Sequence, residues 1–233
     1  MNPEPRQTLC ESCPIRYGKL FRHLNEMELR KISHNKITET HSRGSIIYRE
    51  GTRMIGFFCI QKGTVKIYKT GFDGKEQIIR FAKQGDLIGY RSVISNEPAC
   101  STSEVLEEST LCQIPKALLL SLVRSNGDFA LELMKVSCRE LGEANRYLTD
   151  IAQKTVKERL AEILLQLENE FGRDQEEHLH ISLTREELSN IVGTATESII
   201  RLLSEMRNEG LVDLEGRKIK ILDRPGLKYI AGL

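Results

Sequence analysis

Two cysteines separated by two residues, Cys10 and Cys13, are the residues of this chain whose spacing best suits chemistry. A Cys-x-x-Cys pair offers two thiols from one turn, which suits half of a zinc or iron–sulfur site, or a redox-active dithiol. The other cysteines are scattered along the chain: Cys59, Cys100, Cys112 and Cys138. The N-terminus has no apolar stretch typical of a secretory signal. We therefore expect a cytoplasmic protein with thiols rather than a disulfide framework.

The sequence offers little else that suits an enzyme. We find no P-loop, HExxH motif, nucleophile elbow or dinucleotide fingerprint, and the five histidines show no catalytic pairing. His178 and His180 lie in an acidic segment, which we interpret as a solvated loop rather than a metal site. No run of about 18 uncharged apolar residues predicts a membrane span. We expect a non-enzymatic protein with no membrane contact.

The net charge of +1 conceals a split between the two ends of the chain. Residues 1–154 carry a net charge of +5 and residues 155–233 a net charge of −4. Neither part is basic enough to predict nucleic-acid binding from bulk charge. If the protein binds DNA, a few well-placed side chains must do so.

The middle of the chain is typical of a β-sandwich or barrel. From Ser42 to Ile114, short runs rich in Ile, Val, Phe and Tyr alternate with glycine turns. Asp73-Gly74 separates two of these runs and suits a hairpin turn, because glycine accepts a positive φ. After Pro115 the pattern becomes helical.

One helical segment carries a heptad repeat. The d positions of the repeat are Met134, Leu141 and Leu148, and its a positions are Cys138, Asn145 and Ala152. A polar residue at one a position favours a parallel two-stranded pair in fixed register. The alternative is an amphipathic helix packed on the sandwich. We favour a dimerisation helix.

The last third of the chain predicts a winged helix-turn-helix. A helix ends at Gly172, two more follow on either side of Gly193, and a hairpin turns near Glu215-Gly216. Two pairs match capping boxes: Thr184 with Glu187, and Thr194 with Glu197.

The second of these helices leaves a polar face free to contact bases. Arginine can donate twice to guanine and glutamate can accept from cytosine, so Glu197 and Arg201 suit base reading. The same pair, four residues apart, also suits an ordinary exposed ion pair. The surrounding turn, caps and wing favour the DNA-binding interpretation. The predicted contacts are Thr184, Thr194, Thr196, Glu197, Ser198, Ile200, Arg201 and Lys218.

The segment GTATESIIRLL resembles the recognition helix of the Crp/Fnr family of bacterial transcription regulators. The run from Arg49 to Gly89 resembles that family's cyclic-nucleotide-binding β-roll, and EVLEESTLCQIP resembles its last strand. The resemblance implies an α+β fold with an N-terminal β-roll (double-stranded β-helix or jelly roll), a long dimerisation helix and a C-terminal winged helix-turn-helix. It also implies a homodimer that binds a palindromic double-stranded operator, with half-sites related to TTGA or TGTGA, and that contacts RNA polymerase.

The resemblance divides the chain into four parts. Residues 1–22 form a tail with the Cys-x-x-Cys pair, and residues 23–127 form the sensor roll. Residues 128–153 form the dimerisation helix, and residues 154–233 form the DNA-binding domain.

The predicted effector pocket departs from the cyclic-AMP pattern of the family. Tyr90 stands where cyclic-AMP-binding relatives have a glutamate for the ribose, and Ala99-Cys100 replaces their Arg-Ser pair. The usual mode of cyclic-AMP binding is therefore not expected, and a redox, oxygen, nitrosative or small-molecule signal is left. The residues predicted to line the pocket are Gly89, Tyr90, Arg91, Cys100 and Ser101. The functional alternative is a cyclic-nucleotide module that acts on a protein partner.

The oxygen-sensing branch of the family holds an iron–sulfur cluster with three N-terminal cysteines, spaced C-x2-C-x5-C, and one late-strand cysteine. By this resemblance Cys10, Cys13 and Cys112 are candidate metal ligands, but Lys19 occupies the third position. No cysteine nearby in sequence replaces it, and His23 would be an unusual ligand. From sequence, a cluster, a zinc or thiol-redox role, and unspecialised cysteines all stay open, and the last is favoured.

Overall fold

The structure is a computed structural model, in which residues 9–18 and 20–233 are described. The chain divides into two compact units, residues 1–70 with 79–142 and residues 71–78 with 143–233. Among the described helices, none combines the length and the apolar character needed to cross a membrane.

Strands dominate the N-terminal part, as the alternating runs predict. Two short 3-10 helices, Pro14–Tyr17 and Phe21–His23, precede helix α1 (Glu26–Asn35). The strands are β1 (Ile37–His41), β2 (Ile46–Tyr48), β3 (Gly56–Lys62), β4 (Val65–Thr70), β5 (Glu76–Ala82), β6 (Leu87–Ile88), β7 (Thr102–Val105) and β8 (Ser109–Pro115). Helix α2 (Tyr90–Ser95) interrupts them, and α3 (Lys116–Ser125) and α4 (Gly127–Gln153) follow.

The strands form two four-stranded antiparallel sheets, which confirms the α+β fold with a β-roll. Their orders are β1-β8-β3-β6 and β2-β7-β4-β5. Side chains alternate across β3, so that Phe57 and Cys59 join one hydrophobic cluster while Ile60 joins the other. The Phe57 side packs with residues of α1, α3 and α4. The Ile60 side forms the interior of the roll.

The C-terminal part is helical with a small hairpin. Its elements are α5 (Val156–Phe171), α6 (Arg185–Val192), α7 (Thr196–Asn208), β9 (Val212–Glu215), β10 (Lys218–Ile221) and α8 (Arg224–Ala231). Thr155 caps α5 through a complete capping box with Glu158, and Gly172 ends that helix with a positive φ. The predicted helices, turn and hairpin are confirmed.

Candidate functional site

The turn between α6 and α7 depends on Gly193. Its φ is +74°, in the left-handed region that glycine adopts without strain. A Cβ added there would lie 2.9 Å from Ile151 Cδ1 and 3.0 Å from Tyr147 Oη. Both the backbone and the close packing therefore require glycine at this turn.

The N-terminal cap of α6 agrees with the sequence prediction, and that of α7 does not. The Thr184 capping box is present: Thr184 Oγ1 accepts from the Glu187 N–H at 3.0 Å. The predicted Thr194–Glu197 box is wrong, because α7 begins at Thr196 and its N-cap is Ala195, without a side-chain cap bond. Thr194 lies one residue too early to cap the helix, so Glu197 is not used in a capping box.

The exposed face of α7 carries the predicted base-reading pair. Glu197, Ile200 and Arg201 are exposed, and Thr196 and Ser198 are half-buried. Arg201 forms its ion pair with Glu205, at 2.5 Å, rather than with Glu197. The Glu197 carboxylate and the Arg201 guanidinium therefore stand as separate groups near the N-terminal end of α7.

The buried stripe of α7 fixes which face is exposed. Ile199, Leu203 and Met206 are no more than 1% exposed. Thr196 Oγ1 also lies 3.1 Å from Ser189 Oγ of α6, which ties the two helices together at the turn. The polar face of α7 is consequently held in one orientation within its unit.

The wing, formed by β9 and β10, carries Lys218, one of the predicted DNA contacts. Lys218 Nζ lies 2.7 Å from Glu176 Oε2, and this hydrogen bond raises the pKa of the lysine. The exposed cation that sequence reasoning missed is Arg217, next to the turn glycine. Arg185 donates to the Gly216 carbonyl at 2.8 Å and so fixes the turn of the wing against α6.

The acidic loop before α6 is not uniformly solvated, contrary to the sequence interpretation. His180 is exposed, but His178 is buried, with its Nδ1 lying 3.6 Å from carboxylate oxygens of both Asp174 and Glu176. Ligand atoms of these three residues lie within 4.8 Å of one another. The Lys218 ammonium lies 2.7 Å from Glu176 and 4.0 Å from Asp174, and this pairing joins the loop to the wing.

Helix α4 presents the predicted heptad residues to solvent. The helix has 27 residues and buries Phe129, Glu132 and Leu133 near its start. We call the exposed set the heptad stripe: Met134, Cys138, Leu141, Asn145, Leu148 and Ala152. The d residues are 61%, 62% and 67% exposed in chain order. This apolar row is therefore not packed on the roll in the single chain, contrary to the alternative of an ordinary packed helix.

Tyr90, one of the predicted pocket residues, is held against α4. The side chain is buried, and its hydroxyl donates to Glu140 Oε2 of α4 at 3.0 Å. Arg80 also contacts Glu140, at 2.9 Å. Burial raises the pKa of Tyr90 to about 12, so the phenol stays protonated at neutral pH.

The other predicted pocket residues differ in exposure, and a Cβ added at Gly89 would lie 3.5 Å from Tyr48 Cε1. Gly89 precedes α2 with a φ of +76°, and Ser101 is buried. Arg91 and Cys100 are exposed.

The three candidate metal ligands lie at one cavity together with Cys59, which was not predicted from the sequence. Cys10, Cys13 and Cys112 line one cavity of about 30 Å³, and Cys59 of β3 lines it as well. Cys59 is far from Cys10 and Cys13 in sequence and was not among the predicted candidates. Lys19 lies outside the described residues. His23 does not line the cavity, and its Nε2 accepts from Arg22 Nε at 3.2 Å.

Two family models match most of the chain. A cyclic nucleotide-binding domain matches residues 38–126, and a Crp-like helix-turn-helix domain matches residues 158–230. The first spans the strands of the roll, and the second spans α6, α7 and the wing.

Known proteins match the chain over nearly its full length. Electron transport regulator A of Shewanella oneidensis is 29% identical over 192 residues, covering 82% of this chain and 76% of the relative. Transcriptional activator protein FnrA of Stutzerimonas stutzeri is 26% identical over 230 residues, covering 97% and 94%. The structure of FixK2 from Bradyrhizobium japonicum shares the fold, with a TM-score of 0.75, 22% identity, and coverage of 84% of this chain and 96% of that one.

Proposed function

This chain belongs to the Crp/Fnr family of DNA-binding transcription regulators, and from that premise we propose that it binds a palindromic operator as a homodimer. The observation that carries the proposal is the exposed N-terminal face of α7, where Glu197 and Arg201 are not paired with each other. The relatives are regulators rather than enzymes, so we assign no catalytic step to the protein. A regulator that binds DNA is expected in the cytoplasm.

We assign base reading to Glu197 and Arg201. In a half-site related to TTGA or TGTGA, the Arg201 guanidinium donates to guanine and the Glu197 carboxylate accepts from cytosine. Binding costs Arg201 its exposed pair with Glu205, which is weak because both side chains are substantially solvated. Ser198 and the exposed wing residue Arg217 suit phosphate contacts, whereas Lys218 is neutralised by its carboxylate neighbours.

The proposed dimer rests on the heptad stripe. Two copies of α4 can bury their d residues against each other, with Asn145 at an a position setting the register. A two-fold dimer requires a pseudo-palindromic site with half-sites about one helical turn apart. By family resemblance, RNA polymerase is the protein partner at the promoter.

We propose that the roll responds to a signal other than a cyclic nucleotide. Tyr90 occupies the position from which relatives hold the ribose, and it is bonded to α4 instead. This link supplies a route by which a change in the roll reaches the dimer helix. The attached helix-turn-helix and the buried Tyr90 also argue against a cyclic-nucleotide module that acts on a protein partner. Redox, oxygen, nitrosative and small-molecule signals remain the candidate classes.

The test of base reading is a fluorescence-anisotropy titration with a palindromic TTGA duplex and with a duplex whose G·C pair is changed in both halves. Replacing Arg201 by Ala is expected to weaken binding roughly 5- to 150-fold for each half-site, equal to about 1–3 kcal/mol, and to reduce discrimination between the two duplexes. Arg207→Ala is the matched control, since Arg207 lies on the same helix and pairs with Asp213. Unchanged affinity and preference in the Arg201 variant would refute the assignment.

A further inference from the structure

Four cysteines from three distant parts of the sequence meet at one cavity. Cys10 and Cys13 come from the N-terminal segment, Cys59 from β3 and Cys112 from β8. The rest of the lining is mostly apolar, with Lys36 and Arg16 as its cations. The other two cysteines, Cys100 and Cys138, are exposed and lie elsewhere.

The pairing of β3 with β8 fixes two of the thiols side by side. Cys59 and Cys112 are directly opposite each other in the antiparallel register, so their side chains share one face of the sheet. They are 5% and 6% exposed, and they belong to the same hydrophobic cluster as Cys13. The register thus brings Cys59 to the late-strand cysteine that matches the family pattern.

The N-terminal segment is fixed over these two thiols by α1. The Cys10 N–H donates to Ser33 Oγ at 2.7 Å, and Ser33 in turn donates to Glu11 Oε2 at 2.8 Å. Arg16 donates to the Glu11 carbonyl at 2.5 Å, and the Cys13 N–H donates to the Cys10 carbonyl at 3.3 Å. The Cys-x-x-Cys pair is therefore an ordered turn and not a loose tail.

A buried cation accompanies the thiols. Lys36 is 5% exposed, and its Nζ lies 3.6 Å from Cys112 Sγ. An ammonium group held in this position favours negatively charged sulfur ligands.

We propose that Cys59 supplies the fourth thiolate of an iron–sulfur site with Cys10, Cys13 and Cys112, in the role for which the family pattern expects a cysteine at position 19. The inference deepens the proposed function, on which it rests, by placing the signal-responsive group of the roll. Four cysteine thiolates are the usual ligand set of such clusters. Lys36 compensates part of the negative charge.

The spacing of the thiols favours a cluster over a single zinc ion. Zn–S bonds of about 2.3 Å in a tetrahedron place the sulfur atoms about 3.8 Å apart. Among the described residues, one set of three potential metal ligands has all its ligand atoms within 4.8 Å of one another. This set is Asp174, Glu176 and His178, and it includes no thiol. The thiols are therefore set wider than the ligands of one ion.

The experiment measures iron, acid-labile sulfide and zinc, together with visible absorption, in full-length protein purified without oxygen. The expected result is about four iron and four sulfide per chain with broad visible absorption. Cys59→Ala is expected to lower the iron content at least about tenfold, because three thiolates hold a cluster weakly. The matched control, Cys138→Ala, removes an exposed thiol of α4 and should keep the full iron content.

Two further measurements keep the outcome decisive. Cys59→Ser preserves side-chain size, and circular dichroism of both variants separates loss of metal from loss of fold. Wild-type protein with no iron after anaerobic reconstitution, zinc as its sole metal, or full iron in a folded Cys59→Ala variant would each overturn the proposal. Operator binding in the same preparations distinguishes failure of the cluster proposal from failure of the proposed function. If protein without metal still binds the palindrome, only the cluster proposal is refuted. If protein loaded with the cluster does not bind the palindrome, the proposed function is refuted.

Discussion

Replacing Leu141 by Ala on the heptad stripe tests whether α4 is a dimerisation helix. Fully burying a leucine side chain is worth about 1.5–3 kcal/mol. Since Leu141 is 62% exposed in the single chain, about 1–2 kcal/mol of that becomes available on dimerisation. Alanine retains a small part of this burial energy, and the substitution is present in both chains of a two-fold dimer. The free energy of dimerisation is therefore expected to fall by about 2–3 kcal/mol, which raises the dissociation constant roughly 30- to 150-fold.

Sedimentation equilibrium over a range of protein concentrations measures this change directly. Ile94→Ala is the control, because Ile94 is a similarly apolar residue, 44% exposed, on α2 rather than on α4. Leu141→Lys should give a larger effect, since it brings two ammonium groups to the seam. The same variants should bind a palindromic duplex more weakly at protein concentrations where the dimer dissociates.

Two results would refute the reasoning. The first is a Leu141→Ala variant whose dimer dissociation constant equals that of the wild type and of the Ile94→Ala control. The second is a monomeric wild-type protein that nevertheless binds the palindrome with one chain per half-site and no cooperativity. Either result would show that the heptad stripe is not the dimer interface.

Two substitutions test the internal supports of the sensor and the DNA-binding unit. Tyr90→Phe removes the hydroxyl that donates to Glu140, and is expected to destabilise the N-terminal unit by about 1.5 kcal/mol, measured by urea unfolding, since bonds to charged acceptors are among the stronger ones. Gly193→Ala forces a left-handed alanine and a 2.9 Å contact with Ile151, and is expected to cost about 2 kcal/mol in the C-terminal unit and to weaken operator binding in anisotropy titrations.

Matched controls exist for both substitutions. Tyr17→Phe alters a tyrosine that is 77% exposed and should leave the unfolding curve unchanged. Gly127→Ala, at the start of α4, meets nothing within 4 Å and should be neutral or stabilising, by about 0.5–1 kcal/mol. A Tyr90 variant as stable as the Tyr17 variant would show that the bond to α4 contributes nothing. Equal stability of the two glycine variants would contradict the role given to the turn at Gly193.

The C-terminal unit was readable from sequence because its signals are local. Glycine at 193, the capping box at Thr184 and the apolar spacing of α7 act within a few residues, and the structure has each of them. The second capping box failed because Thr and Glu at the right spacing do not by themselves determine where a helix begins. Here the helix begins at Thr196, after Ala195, and the result frees Glu197 from capping.

The roll was readable in kind but not in detail. Strand β1 was not predicted, because its residues are mostly exposed and show no apolar alternation. Its pairing with β8 makes it a strand. Tyr90 is a buried residue of α2. Its bond to Glu140, fifty residues away in sequence, depends on tertiary packing that no local pattern reports.

Cys59 illustrates the same limit at the site where it matters most. A comparison by sequence spacing looks for the third cysteine of the family pattern near the N-terminus. At that position, 19, this chain has a lysine, so the comparison finds only three of the four expected cysteines. Strand register is set by the whole sheet, and a shift of one residue would turn Cys59 to the interior of the roll. With the register observed, Cys59 lies opposite Cys112 on the face that the Cys-x-x-Cys turn covers. In the proposed ligand set, one of the four thiols therefore comes from a strand instead of the N-terminal segment, and the register of the folded sheet is what points to it.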